Sequence, residues 1–564
     1  TEEMDWVQSS LRVGRKKYSA LLSWSYFRWT PLDPRNREDP EKVKVVPVME
    51  LIAVEEGKTQ ILPNRNKEDS VRDFTVFYVQ RSSRSPRWSV GRTVFTAPSQ
   101  DLRDQWVNGL RSRVQQHSDN RPRRLLVFIN PFGGRRCGRK IYQSQIVPLF
   151  ELAGISTHVV ETERANQARD HILKKDLGGF DGLVCVGGDG MFSELMHGLI
   201  GRTQLEAGIS EHDPTVTLQP CSLRIGIIPA GSTDCVCFAT VGVNDPITSA
   251  LHIIIGDDQP LDVCSVHHRN QLVRYSVSLV GYGFYGDVLE DSDRHRWMGP
   301  VRYDYSGLMM FLSNRSYRGT VEYLLADNQT SSPRDKTRCR SGCLVCSEST
   351  ERLCSQTDSS LDTLSQDSFQ SPASSSDGEG QWHTVEGRFR AINLTCMSSA
   401  CPKSPDGLSP SAHLADGTAD LILVRQCSRW SFLTHLSRHT NNKDQFDLPF
   451  VDVYRVKALR FSPPNEEEDD EDDEEQSPTA DVCKYQPVAE RDSGSAKKRL
   501  ERRKKQVLCG VCGDVRSRSC WNCDGEVLPH TAILARVHCQ LIRLFARGIE
   551  GPCKKNKDVR LLCR

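Results

Sequence analysis

Apolar positions change their rhythm twice along this chain. Up to about residue 96 they come in short bursts divided by polar turns, which predicts strands over residues 18–24, 43–54, 74–79 and 88–95. Leu102, Trp106, Leu110 and Val114 then recur at helical spacing behind Pro98, with Ser99 placed as the N-cap. From Leu125 onward, buried-type runs alternate with helical stretches. Strands are predicted over 125–130, 182–186 and 223–229, with a helix over 191–200. Strand and helix in alternation predict a parallel, three-layer α/β sheet. Beyond Leu261 the pattern turns strand-rich, over 273–282, 319–325, 386–394 and 419–425, and predicts an antiparallel, sandwich-like unit.

These shifts predict three domains, 1–120, 121–260 and 261–564, with a polar linker at 119–124. The first, a strand meander closed by a helix with a central Trp, resembles a pleckstrin homology domain. Two polar segments inside the third are predicted to be disordered insertions. Residues 347–380 are rich in Ser, Asp and Thr, and residues 463–506 carry ten consecutive acidic residues from Glu466 to Glu475 before a basic block. No internal repeat is present.

Composition narrows the function classes. Lys plus Arg number 74 against 73 Asp plus Glu, so no global positive field points to nucleic acid. Hydrophobic residues make up 37% and mean hydropathy is -0.49, low for a wholly folded chain of 564 residues. No apolar run reaches the roughly 20 residues that a membrane-spanning helix needs. Glu2, Glu3 and Asp5 stand where a signal peptide would carry positive charge. The 21 cysteines are therefore read mainly as reduced thiols of a cytosolic protein.

Three strings carry candidate chemistry. Asn130-Pro131-Phe132-Gly133-Gly134, with Gly138 after it, follows a predicted strand. Glycines there let backbone N–H groups approach a phosphate, although the spacing is not that of a Walker A loop. Gly187-Gly188-Asp189-Gly190 ends a second strand, with Glu194 one helical turn on. A carboxylate at the carboxyl end of a buried strand sits where α/β sheets bind ligands and could accept a proton from a hydroxyl nucleophile. Asp524-Gly525-Glu526 lies near the C-terminus and by itself reads as a turn.

Taken together and in this order, the strings resemble the diacylglycerol, sphingosine and ceramide kinase superfamily. The resemblance implies an ATP-dependent lipid kinase in which Asp189 is the catalytic base. It implies nucleotide contacts from Asn130, Pro131, Phe132, Gly133, Gly134, Thr162, Glu163, Arg164, Ala165, Asn166, Glu194, Gly231, Asp524, Gly525 and Glu526. Arg296 and Arg302 match positions that face ATP phosphates, with a surface ion pair as the other reading. Gly187, Gly188, Asp189, Gly190 and Asp287 match the substrate side. Magnesium is implied with ATP. The strings 229–235, 281–287 and 538–541 are similar to the ceramide kinase branch, which implies transfer of the γ-phosphate to a primary hydroxyl of ceramide. One departure is visible: the Gly-Thr-x-Asn of the wider superfamily stands here as Gly231-Ser232-Thr233-Asp234. A sphingosine or diacylglycerol kinase, a soluble NAD- or sugar-kinase relative and a silent ceramide-kinase-like lipid binder stay open as rivals.

Further expectations concern partners. Arg12, Arg15, Lys16 and Lys17, placed just before the first predicted strand, and Arg81, Arg84, Arg87 and Arg92 suit phosphoinositide headgroups or form a solvated basic face. A peripheral place on intracellular (Golgi) and plasma membranes follows from the resemblance. Cys339, Cys343 and Cys346 have metal-like spacing with Cys354 as a fourth candidate, and Cys509, Cys512, Cys520 and Cys523 are spaced similarly. Redox-active or plain structural thiols are the first reading for both sets and zinc the second. Leu423, Trp430 and Leu436 stand at positions 1, 8 and 14 beside Arg425, Arg429 and Arg438, a spacing that suits calmodulin and thereby indirect activation by calcium. The strand character of 421–424 favours the plainer reading, in which the segment leaves a core strand.

Overall fold

Seven antiparallel strands open the chain: β1 (Val7–Val13), β2 (Lys16–Leu22), β3 (Tyr26–Pro31), β4 (Lys44–Pro47), β5 (Leu51–Glu56), β6 (Asp73–Arg81) and β7 (Trp88–Thr96), ordered β4-β3-β2-β1-β7-β6-β5. This is a computed structural model, and it describes residues 7–32, 43–57, 71–134, 136–299, 301–326, 332–361, 381–441, 443–464 and 518–551. Helix α1 (Gln100–Gln116) closes the sheet. Its Ser99 accepts from Leu102 N at 3.2 Å, a cap worth about 1 kcal/mol. Trp106 is fully buried against Phe27 and donates to Ser9 Oγ at 2.8 Å. Residues 43–54 divide into β4, a 3-10 turn at Val48–Glu50 and β5, not one strand. Strands β1 and β3 were not predicted. In β1 only Leu11 is fully buried, so the apolar alternation is faint. Arg12 therefore lies within a strand, and Arg15 at the β1–β2 turn.

The second unit is a parallel sheet, β9-β8-β10-β11, from β8 (Arg124–Ile129), β9 (Ser156–Glu161), β10 (Gly182–Gly187) and β11 (Arg224–Pro229). Helices α2 (Gln167–Lys174), α3 (Asp189–Ala207), α4 (Cys235–Val241) and α5 (Pro246–Ile255) cover it. β10 is buried along its whole length, as a central parallel strand should be. Among the described residues no single helix is long and apolar enough to cross a membrane. The bent pair α4–α5 has the composition, but most of its residues are buried in the core.

The third unit runs β12 (Gln259–His268), β13 (Gln271–Ser276), β14 (Leu279–Gly283), helices α6 (Phe284–Arg294) and α7 (Val301–Ser313), β15 (Tyr317–Leu325), α8 (Leu344–Leu361), β16 (Trp382–Thr395), β17 (Ala419–Arg425), α9 (Arg429–Arg438), β18 (Val451–Ser462), β19 (Trp521–Cys523), β20 (Glu526–Val527) and β21 (Ile533–Leu544). β16 and β18 each pair with both β15 and β17, around a core that includes Tyr282, Leu394, Leu423, Phe461 and Trp521. The chain's last strand joins the two halves: β21 pairs parallel with β11 and antiparallel with β12 and β18. The units are thus continuous through one sheet, and β12 begins at Gln259, across the boundary expected at 260.

Three expectations change here. Residues 347–361 of the expected disordered segment belong to α8; residues 362–380 and 465–506 lie outside the described residues. The expected strand 273–282 is broken at 277–278, because Asp524 draws the backbone N–H groups of Val277, Ser278 and Leu279 into a turn. Leu423 is a buried residue of β17, so no single helix carries Leu423, Trp430 and Leu436; only α9, with Trp430 exposed, is helical.

The N-terminal domain is fastened to the kinase-like core. Trp88 is buried with its ring 3.9 Å from His252 and two guanidiniums, of Arg81 and Arg547, at 4.7 and 4.9 Å. Trp88 Nε1 donates to Glu550 at 2.9 Å, and Arg81 binds both Glu50 (2.5 Å) and Glu550 (3.1 Å). Arg81 is therefore spent on this joint, while Arg15, Lys16 and Lys17 stay exposed. The linker is pinned as well: Arg224 donates to Asn120 O at 2.6 Å and Arg121 to Met49 O at 2.7 Å.

Candidate active site

Parallel strands deliver their following loops to one edge of the sheet, and here three glycine loops meet there. After β8, Asn130 Oδ1 accepts from Phe132 N (2.9 Å) and Gly133 N (3.0 Å), which curls the loop. Gly134 has φ +55°, and a β-carbon on it would lie 2.6 Å from Ala230 O in the loop after β11. A β-carbon on Gly231 would lie 2.5 Å from Gly188 Cα in the loop after β10. These contacts admit only glycine and bring the loops into backbone contact. Thr162 is buried behind them and bonded to Ile129 O. Glu163 and Arg164 donate their N–H groups to Gln167 Oε1, and exposed Arg164 pairs with Asp170. Ala165 is exposed, and Asn166 is left-handed (φ 60°) just before α2.

Asp189 lies in the first turn of α3, half-buried. Its two oxygens accept from Cys235 N and Val236 N, both at 3.0 Å. Burial raises its carboxyl above the usual range, although the two N–H bonds oppose this. Asp234 is buried beside it, left-handed (φ 51°), and accepts from Gly231 N at 3.0 Å. Burial and the charge of Asp189 push the Asp234 carboxyl up to about 7. The sequence departure noted at this loop thus places a second carboxylate beside the first. Glu194 lies further along α3, accepts from Ala168 N at 3.3 Å at the start of α2, and is raised by burial.

The late Asp-Gly-Glu string arrives from the other half of the chain. Asp524 accepts from Ser276 Oγ (2.8 Å), Val277 N (2.8 Å), Ser278 N (3.1 Å) and Leu279 N (2.8 Å). Three of these bonds fall on Oδ1 and one on Oδ2, and together they make Asp524 a strut for the 276–279 turn. The strut reaches the first carboxylate through Ser278 Oγ, 3.6 Å from Cys235 Sγ. Gly525 has φ +91° at the turn, and exposed Glu526 pairs with Arg274 at 2.6 Å. Arg274 also donates to Ser193 Oγ at 3.0 Å, next to Glu194. Arg274 is not among the residues the sequence points to, and Asp234 enters there only as part of a departing loop with no role of its own. Arg274 has no local motif, and only strand pairing brings it to α3.

The other expected site residues lie elsewhere. Arg296 and Arg302 turn to Asp293 at 3.2 and 3.8 Å, the ion-pair reading. Asp287 is buried in the first turn of α6, where Tyr317 OH (2.5 Å) and Ser519 Oγ (2.6 Å) donate to it, and burial raises its carboxyl. Gly187 packs against Met191, and Gly190 has open space around its α-carbon. Cys339, Cys343 and Cys346 come together around the start of α8, and Cys354 is exposed on α8 apart from them. Cys523 is buried in β19, and Cys509 and Cys512 lie outside the described residues.

Comparison with known proteins gives a consistent picture. Residues 7–110 match the ceramide kinase PH domain, residues 124–266 the diacylglycerol kinase catalytic domain, and residues 279–563 the ceramide kinase C-terminal domain. A ceramide kinase of Homo sapiens is 47% identical over 97% of this chain and 96% of its own length. A ceramide kinase of Oryza sativa subsp. japonica is 30% identical over 69% of this chain and 79% of its own. A ceramide kinase-like protein of Homo sapiens is 26% identical over 97% of this chain and 92% of its own.

Proposed function

The chain belongs to the ceramide kinase family, and from that premise we infer that it is an ATP-dependent lipid kinase that phosphorylates the primary hydroxyl of ceramide. The observation that carries this is the full-length match at 47% identity, with Asp189 intact at the meeting point of the three glycine loops. The intact carboxylate also weighs against the silent lipid-binder reading.

In this reading the nucleotide phosphates lie against the glycine loops, near the N-terminus of α3, whose partial positive charge suits an anion. Asp189 accepts the proton of the attacking hydroxyl, and the raised carboxyl brings it closer to the working pH of a general base. Its orientation is set by two backbone N–H groups, so no side chain must reorder during transfer. Magnesium would enter with ATP and neutralise phosphate charge. Asp189 and Asp234, adjacent and acidic, are the carboxylates that fit a place beside it, whereas Asp524 already spends four hydrogen bonds on the 276–279 turn.

For the lipid, the structural support is an exposed apolar face. Trp297, Val301, Leu308 and Leu312 around α7, with Trp430 and Leu433 on α9, are 42–82% exposed. Such a face suits contact with acyl chains at a membrane surface, and Asp287, in the first turn of α6, would receive the polar end of the substrate. The exposed Arg15, Lys16 and Lys17 would add attraction to phosphoinositide headgroups, giving a peripheral protein of intracellular and plasma membranes. Calmodulin, if engaged, would have α9 with Trp430, Arg429 and Arg438 to hold. The deciding experiment offers labelled ATP with ceramide, sphingosine and diacylglycerol in mixed micelles to the purified full chain. Label is expected chiefly in ceramide 1-phosphate; faster labelling of sphingosine or diacylglycerol would overturn the assignment.

A further inference from the structure

We propose that Cys339, Cys343, Cys346 and His413 hold a structural zinc ion that fastens the 332–361 segment to the loop between β16 and β17. The four candidate ligand atoms all lie within 4.8 Å of one another. Cys339 Sγ and Cys346 Sγ are 3.7 Å apart, and Cys343 Sγ is 3.3 Å from His413 Nδ1. A tetrahedral site with Zn–S of about 2.3 Å and Zn–N of about 2.0 Å spaces sulfurs by about 3.8 Å and sulfur from nitrogen by about 3.5 Å. A disulfide, by contrast, needs sulfurs about 2.05 Å apart.

Local chain geometry explains how the ligands converge. Cys343 immediately precedes α8 and Cys346 lies in its first turn, so the two-residue spacing turns both sulfurs to one side. Cys339 comes from the extended approach to that helix. His413 arrives from a loop some 70 residues later, which no spacing rule could have indicated. Cys354, two turns further along α8, is exposed and has no place in the cluster.

Burial supplies a second argument. Cys346 and His413 are 6% and 1% exposed. The His413 ring has a buried Nε2 without a partner, so its only described polar contact is the Cys343 sulfur. Three thiols and an imidazole packed this way satisfy one another poorly, and such burial is costly without compensation. A divalent ion replaces three thiol protons with metal–sulfur bonds and fixes the imidazole as a neutral ligand. Soft thiolates with imidazole in a closed tetrahedral set select zinc over magnesium or calcium.

The ion would sit at a junction. Ser341 N donates to Ile549 O at 3.0 Å, and the next residue, Glu550, holds Trp88 and Arg81 of the N-terminal domain. On the other side, the loop that ends in His413 begins near Ser399 and Ala400, which contact Ser278 and Cys235 beside Asp189. The site thus braces both the domain joint and the support of the catalytic carboxylate.

The test is metal analysis of the purified full chain by mass spectrometry, with cobalt substitution as a spectroscopic probe. About one zinc per chain is expected, and the cobalt form should show the visible bands and sulfur-to-metal charge transfer of a tetrahedral thiolate site. Cys343→Ser should lose the metal, and Cys354→Ser should keep it. His413→Cys should keep it with stronger charge transfer, so the proposal stays testable if His413→Ala does not fold. Metal-free wild-type protein from zinc-supplemented cells, folded and with reactive Cys339, Cys343 and Cys346 thiols, would overturn it. So would unchanged metal content in Cys343→Ser, or a cobalt spectrum unaltered in His413→Cys.

Discussion

Asp189 and Asp524 are two aspartates just beyond strand ends, linked through Cys235 and Ser278, yet the molecule uses them differently. Asp189 accepts two backbone N–H groups from a helix start and keeps acceptor capacity for a proton. Asp524 accepts four donors from the 276–279 turn, three of them on one oxygen. Burial raises both carboxyls, so a raised carboxyl alone does not separate a base from a strut. The number of donors already spent on each carboxylate does, and that number is set by which strand or helix lies opposite.

The comparison is open to experiment. The largest expected effect is that of Asp189→Asn, which should slow phosphoryl transfer by roughly 10²–10⁴-fold while thermal unfolding and ATP binding stay near wild type. Turnover within a few-fold of wild type in a folded variant would remove Asp189 from the chemistry. Asp524→Ala should do the reverse. It strands three backbone N–H groups of the turn and should lower stability by on the order of 3 kcal/mol, read as a fall in melting temperature, with activity lost in proportion to the unsettled turn. If Asp524→Ala melts with the wild type and only ATP affinity falls, Asp524 is a ligand and the contrast collapses.

The smallest expected effect concerns pH. Both Asp189 and Asp234 have folded carboxyls above their unfolded range, so these two sites hold more protons in the folded chain than in the unfolded chain between about pH 4 and 7. Their contribution to stability is therefore lost as pH rises through that window. Asp234→Asn removes the carboxyl that burial and the Asp189 charge push up to about 7. Stability should then depend less on pH across the window. An unchanged pH dependence of thermal unfolding would show that Asp234 does not titrate there.

The α/β unit was the most legible part of the chain. A strand, a glycine turn and a helix start are contiguous, so β8, β10, β11 and their loops could be placed from spacing alone. Asp189 followed from its place on such a loop. In the N-terminal domain the helix with its Ser99 cap was readable, but β1, which fully buries only Leu11, was not, and β3 was missed although Phe27 and Trp29 alternate into the core. Helix α8 was masked by its Ser- and Thr-rich composition, and four of its first five side chains not fully buried leave it little apolar periodicity to read.

What the sequence by itself determined is the order of units, the glycine loops and the family, because these depend on residues within a few positions of one another. What only the tertiary structure decided is the work of the distant residues. Arg81 and Trp88 lock the first domain onto Glu550, Asp524 braces a turn about 250 residues earlier, Asp234 becomes the acidic neighbour of Asp189, and His413 completes the cysteine cluster. Such contacts rest on pairings like that of β10 with β11 and those of β21, which joins both halves of one sheet, and a pairing between strands far apart in sequence leaves no periodic signal in either of them.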